Sequence, residues 1–347
     1  MEKVTINEIA KRSGVSKATV SRVINNSKPV SDEVRQKVMA VIESTNFVPS
    51  ALGRSLSLKK SHLIGVIIPD LANPVFSRII AGMESYLRSK NYSLLITATD
   101  FNIDTGIRHI QILNEKAIDG LIFLAGAMNE ELIQALNTFH KPVVVIGSDI
   151  DSDTIPVIEI DNKKAAYDAT VYLVSIGHKN IAMIRGPLSD RYAGKERFIG
   201  YQEALMESGL YQTHLVVEGK YTFDHGYNAM KRLLVSKPLP TAVFCANDLM
   251  AIGAMKCAFD EGFKVPADIS FIGFDDVEIA KMYNPTLTTI HQPFEEKGLQ
   301  AIERLIDMIK LYNDKKEASF AELVILPHKL VVRQSTAKVN HQSKGVV

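Results

Sequence analysis

At 347 residues the chain exceeds one ordinary domain and predicts two or three, and a hydrophobic share of 46% excludes disorder as the default state. The net charge of +1 hides an asymmetry: residues 1–60 hold eleven Lys or Arg against five Asp or Glu, a net of +6 that leaves −5 on the other residues. A small basic head on a mildly acidic body predicts a localised nucleic-acid footprint, while two cysteines, Cys245 and Cys257 in apolar surroundings, exclude a disulfide framework.

In chain order, Ile6, Ile9, Ala10 and Ser13 recur at helical spacing, and Gly14 stands where a tight turn needs a left-handed residue. Ser16 is the expected N-cap of a second helix in which Val20, Val23 and Ile24 form one apolar stripe. The opposite face carries Lys17, Ala18, Ser21, Arg22 and Asn25, with no carboxylate and no large apolar side chain. Such residues reach phosphates and base edges, so the pattern predicts a helix-turn-helix whose second helix enters the major groove. Lys17, Ala18 and Arg22 are the expected base readers, and Ser16, Thr19, Ser21, Asn25 and Ser31 the expected phosphate contacts. Ser31 also predicts the N-cap of a third helix, which buries Val34, Val38, Val41 and Ile42.

The stretch Pro49-Ser50-Ala51-Leu52-Gly53-Arg54-Ser55-Leu56 is long enough for two helical turns, too few to persist alone in water. From His62 onward, short apolar runs at Leu63–Ile68, Leu94–Ala98, Gly120–Leu124 and Val143–Ile146 alternate with helical patterns at Val75–Arg88 and Thr105–Lys116. A second series follows at Ile181–Ile184, Leu215–Val217, Ala242–Phe244 and Ile269–Ile272, with helices near 163–176, 194–208, 225–236 and 248–262. Repeated strand–helix–strand units predict two parallel-sheet α/β lobes whose ligands collect outside the C-terminal strand ends. No internal sequence repeat supports the duplication, and Ser335–Val347 reads as a polar, frayed tail.

The run from Val4-Thr5-Ile6 through Ser16–Asn25, the Pro49–Leu56 stretch, Ile64-Gly65-Val66-Ile67-Ile68-Pro69-Asp70 and Asn73-Pro74 closely resembles the LacI/GalR family of bacterial transcription regulators. The resemblance implies an all-α helix-turn-helix head on an α/β body of two parallel-sheet lobes, similar to a periplasmic sugar-binding protein. It divides the chain into a DNA-binding domain at 1–48, a hinge helix at 49–60 and a first lobe at 61–161 with 292–321. A second lobe follows at 162–291 with 322–338, and then a disordered tail at 339–347. It makes Ser50 and Leu56 DNA contacts, Leu56 wedging into the minor groove of a bent operator. Gly53 stands where Ala is usual and makes folding of the hinge depend more on DNA and dimer partner.

The same resemblance implies Phe76, Arg197, Tyr221, Asn247 and Asp275 as effector-binding residues, a set that suits a sugar or polyol, and the expected effector is a sugar or sugar phosphate. Taken alone, Asn247 and Asp275 equally suit helix caps, Arg197 a solvated helix charge and Phe76 a core position. One departure is Gly147-Ser148 where the family often has Asp; Asp149 lies two residues on. Relatives lacking that Asp imply an alternative effector, a phosphorylated carrier protein.

No G-x-S-x-G, H-E-x-x-H, P-loop or strand-following G-x-G-x-x-G is present, and His178 reads as structural. The expectation is a homodimeric DNA-binding repressor of carbohydrate genes with no catalytic residue, no metal and no cofactor. An enzyme with an appended DNA-binding head is the weaker class. With no apolar signal region at Met1–Thr5 and no membrane-length apolar run, a cytoplasmic location is expected.

Overall fold

The computed structural model describes residues 4–25, 29–47, 60–116, 118–124, 126, 128–147, 150, 152–314 and 321–339. Ser50 and Leu56 of the expected hinge helix, and Ser148 and Asp149, lie outside the described residues.

The head contains α1 (Ile6–Ser13), α2 (Lys17–Asn25) and α3 (Asp32–Thr45). Thr5 caps α1 by accepting from the Glu8 amide, and Gly14 ends it at φ 66°, its N–H reaching the Ala10 and Lys11 carbonyls. The left-handed turn redirects the chain so that Val20 and Val23 of α2 close on Ile9 and Ala10 of α1 and Val38 of α3. Val34, Val41 and Ile42 pack around that cluster. Ser31 precedes α3 with extended backbone but makes no side-chain capping bond, so its hydroxyl does not perform the expected capping role.

The first lobe comprises β1 (Leu63–Ile68), α4 (Pro74–Leu87), β2 (Ser93–Ala98), α5 (Ile103–Glu115), β3 (Gly120–Leu124), α6 (Glu130–Asn137), β4 (Val143–Ile146) and β5 (Val157–Ile160). The second comprises α7 (Asn162–Ser175), β6 (Ile181–Arg185), a π-helical turn (Arg191–Glu196), α8 (Arg197–Glu207), β7 (Val216–Glu218), α9 (Phe223–Leu233), β8 (Ala242–Cys245), α10 (Asp248–Asp260), β9 (Ser270–Asp275), α11 (Glu278–Met282) and β10 (Thr288–His291). Then α12 (Phe294–Asn313) and β11 (Leu323–Leu326) return to the first lobe, and β12 (Lys329–Val331) to the second.

The sheets run β11-β5-β4-β3-β1-β2 and β12-β10-β9-β8-β6-β7, the same order twice. The duplication that no sequence repeat revealed is therefore one of topology. In the first sheet, Val66, Ile122, Val144 and Ile158 face one apolar cluster, while Ile67, Phe123, Val145 and Val157 face another. Burial on both faces is what the near-continuous apolar runs of parallel strands encode. On one face α4 and α12 touch backbone to backbone: a Cβ on Gly82 would lie 2.0 Å from the Glu295 carbonyl oxygen, and one on Gly298 1.9 Å from that of Ile79.

Two boundaries differ from expectation. The third crossing falls between β11 and β12, not near Ala321, because Leu323–Leu326 pairs in parallel with Val157–Ile160 and covers the open edge of β5. The tail from Ser335 to Val339 is docked rather than frayed. Ser335 is buried, its hydroxyl donating to the Phe271 carbonyl at 2.6 Å and accepting from the Thr288 amide at 2.8 Å. The Ala337 amide donates to Ser270 Oγ at 3.1 Å, and Val339 N–H to the Ile176 carbonyl at 3.2 Å.

His178 secures the same segment, with Nδ1 2.9 Å from Thr241 Oγ1 and Nε2 3.1 Å from the Ala337 carbonyl. Burial holds its pKa below the usual 6.5. The folded protein resists protonation that the unfolded chain accepts, so stability present above the unfolded value is lost as pH falls toward the lower folded one. The urea midpoint is expected to drop between about pH 7 and pH 5, by less in His178→Gln, and NMR is expected to show the wild-type ring titrating below about pH 6.5.

Candidate functional site

On the head, Ser16 Oγ accepts from the Thr19 amide at 3.1 Å and lies 2.9 Å from Thr19 Oγ1. These two hydroxyls therefore define the start of α2. Asn25 Nδ2 donates to Ser21 Oγ at 3.2 Å, one turn apart on the same helix. Ser16, Lys17, Ala18 and Arg22 are exposed, and Thr19, Ser21 and Asn25 half-buried, so the structure presents one cationic, carboxylate-free surface on α2. Such a surface matches the negative charge and acceptor-rich edges of a duplex groove.

In the body, a cleft enclosing about 770 Å³ of solvent-open space lies between the lobes, at the C-terminal ends of the strands. Phe76, Arg197, Tyr221, Asn247 and Asp275 all line it. Phe76 enters from the first turn of α4, behind Asn73, whose side chain caps that helix by accepting from the Val75 amide at 3.0 Å. Arg197, 5% exposed, opens α8. Its Nε donates to Asn162 Oδ1 at 2.8 Å and its Nη1 to the Ala246 carbonyl at 2.5 Å. Its Nη2 is 3.6 Å from Asp275 Oδ1, and the guanidinium carbon lies 3.6 Å above the centre of the Phe274 ring.

Asp275, at the end of β9, takes the left-handed φ of 110° and accepts from Gln292 Nε2 at 2.6 Å. Burial raises its pKa, and Arg197 and Gln292 oppose that rise. Tyr221, at φ 62°, donates its hydroxyl to Asp190 at 2.7 Å, and burial pushes its pKa well up. The other Asp190 oxygen accepts from the Tyr192 and Ala193 amides and starts the π-helical turn. Asn247 is largely committed to structure: Oδ1 caps α10 through the Met250 amide at 2.9 Å, and Nδ2 donates to the Tyr221 carbonyl at 2.9 Å. Its amide thus holds the Tyr221 loop in place while bordering the cleft.

Sequence reasoning missed Glu159, Asn162, Asp190, Gln292 and Lys297, which line the same cleft. A signal was present for two of them. Glu159 interrupts the apolar run Val157–Ile160, and Lys297 falls on the buried stripe Phe294, Gly298, Ala301 of α12. A charge on a core-facing stripe is retained only where it is paired or used. Among the described residues no group of His, Cys, Asp or Glu could hold a metal ion, and no helix is long and apolar enough to cross a membrane.

Residues 5–50 match the family model for bacterial regulatory proteins of the lacI family. Residues 61–334 match that for periplasmic binding proteins and the sugar-binding domain of the LacI family. The chain is 37% identical over 334 residues to catabolite control protein A of Priestia megaterium, covering 96% of this chain and 99% of that protein. It is 36% identical to the HTH-type transcriptional repressor PurR of Pasteurella multocida, covering 95% and 98%. The crystal structure of the lac repressor dimer bound to operator and the anti-inducer ONPF superposes with a TM-score of 0.83 at 28% identity, covering 97% of this chain and 100% of that one.

The dual engagement of Asn247 makes its replacement first a stability defect. Asn247→Ala is expected to lower unfolding free energy by about 0.5–2 kcal/mol, measured by urea denaturation of the full chain without added ligand.

Proposed function

The chain belongs to the LacI family of bacterial regulatory proteins, and on that premise we propose that it is a homodimeric repressor that releases or grips operator DNA according to a small molecule in the interlobe cleft. The observation that carries this reading is the pairing, on one chain, of a cationic helix-turn-helix face with a cleft lined by a guanidinium, a carboxylate and aromatic rings. Lys17, Ala18 and Arg22 read base edges, and Ser16, Thr19, Ser21, Asn25 and Ser31 contact phosphates. Ser50 and Leu56 belong to a hinge that orders on the minor groove, Leu56 as the wedge. Two heads related by a dimer axis meet a near-palindromic site.

Phe76, Arg197, Tyr221 and Asp275 contact the effector, with Asn247 supporting Tyr221, and the effector is a sugar or sugar phosphate. Effector-driven closure moves the lobes, and a coupling of about 1–3 kcal/mol makes a usable switch. The lobes in this assignment are 61–161 with 292–326 and 162–291 with 329–338, joined to the head at 1–48 through 49–60. The protein acts in the cytoplasm, catalyses no reaction and needs no cofactor.

Selection from a randomised operator pool tests the readout. Arg22→Ala is expected to lose about 1–3 kcal/mol of discrimination at one base pair while retaining effector binding. Unchanged operator preference would falsify the assignment. Fluorescence anisotropy with labelled operator tests the switch: Asp275→Asn is expected to bind operator as the wild type does and to lose the response to sugars and sugar phosphates. A wild-type response to a phosphorylated carrier protein, with none to small molecules, identifies the alternative form of control.

A further inference from the structure

Two charged side chains on the cleft wall are unused by the function proposed above. Glu159 of β5 and Lys297 of α12 are 3% and 4% exposed, and both line the cleft. Oε1 of Glu159 accepts from the Ile160 amide at 2.9 Å and from Asn162 Nδ2 at 2.5 Å. Oε2 is buried and has no hydrogen-bond partner. Lys297 Nζ donates to Gln292 Oε1 at 2.8 Å and forms no ion pair with Glu159, although the two charges favour each other. A buried acceptor left open is expensive, and such an atom in a cleft marks a place where a ligand group completes the set.

The remaining charges say what that group is. Asp190 is spent on the Tyr192 and Ala193 amides and the Tyr221 hydroxyl. Arg197 has given two of its N–H groups to Asn162 and Ala246, and its third nitrogen leans toward Asp275. Among the described residues the cleft lining thus sets two cations, Arg197 and Lys297, against three carboxyl groups, Glu159, Asp190 and Asp275, which leaves no surplus positive charge to neutralise an added anion. A phosphate oxygen only accepts, and it would face both Glu159 and Asp275. A hydroxyl both donates and accepts, so it satisfies Glu159 whether or not that carboxyl is ionised. On the next strand the chain leaves β4 through Gly147, whose N–H is taken by the Ile158 carbonyl at 3.1 Å and which brings no side chain to compete for the same hydroxyl.

We propose that the cleft takes an uncharged polyhydroxylated ligand, that Glu159 Oε2 binds one of its hydroxyls, and that Glu159 selects against phosphorylated sugars. This rests on the effector reading above and narrows it to one chemical class. Lys297 acts as a positioning residue: it holds Gln292, which in turn donates to Asp275.

The test uses the full chain in thermal-shift and calorimetric titrations. The probes are uncharged mono- and disaccharides and polyols, their phosphorylated counterparts, and free nucleobases. Only uncharged polyols are expected to raise the melting temperature. Glu159→Gln, melting like the wild type without ligand, is expected to bind the best of them at least about tenfold more weakly. One deoxy analogue of that compound is expected to lose as much affinity for the wild type and no more for the variant. Glu159→Asp keeps the charge and shortens its reach, and it is expected to give the same loss should Glu159→Gln fail to fold. Binding by a phosphorylated sugar or a nucleobase with none by the uncharged polyols overturns this inference and leaves effector control standing. So does an affinity in both variants within about twofold of wild type. No shift with any probe overturns both.

Discussion

Arg197 carries a positive charge to a position on the cleft wall where it is almost wholly buried, and much of the cleft is arranged to keep it there. Its Nε is met by Asn162, its Nη1 by the Ala246 carbonyl, its face by Phe274, and its remaining edge by Asp275. These partners come from the start of α7, the end of β8 and the end of β9, three places far apart in sequence. A guanidinium offers donors in a rigid planar fork, so satisfying it fixes the relative positions of everything it touches. Asp275 in turn receives Gln292, just past β10, across the lobe boundary, and Gln292 receives Lys297 of α12 within the first lobe. One buried cation thus organises a polar chain running from the second lobe into the first.

Other contacts join the two lobes and anchor the chain where it enters the body. Arg78 of α4 makes a two-pronged ion pair with Glu295 within the first lobe, and its Nη1 donates to the Asp276 carbonyl of the second lobe at 3.2 Å. Asp276 itself is held by His291 and by Arg333 of the returning chain. At the entrance to the body, Asp119 accepts from the Ser61 amide at 2.8 Å, the Ser61 hydroxyl at 3.0 Å and the His62 amide at 2.9 Å. The segment arriving from the head is therefore clamped to the start of β1 beside β3. In the control proposed above, a shift of the first lobe would carry this clamp with it.

The head was legible because its signals are local. An apolar stripe at helical spacing, a glycine at a left-handed turn and a capping hydroxyl two residues later specify two helices and their crossing with no distant partner. The alternation of strand and helix was legible for a similar reason, since strands buried on both faces read as apolar runs. Phe76, Arg197, Tyr221 and Asp275 were identified through family resemblance, and the fold brings them to one cleft with Asn247. For Asn247 the plainer alternative, a helix cap, describes most of what its side chain does.

By itself, then, the amino-acid order determined the helix-turn-helix, the two α/β lobes and the basic face of α2, because each follows from contacts within a few residues. Only tertiary structure decided which charges share a cavity, since Glu159, Arg197, Asp275 and Lys297 meet only after the chain has crossed between lobes. It likewise decided that Leu323–Leu326 closes the first sheet and that Ser335 is interior, because an edge strand and a docked tail are defined by what they cover. The unfilled acceptor on Glu159 belongs to the same class. Whether a carboxylate is satisfied depends on the groups that folding carries to it, and those come from distant parts of the chain.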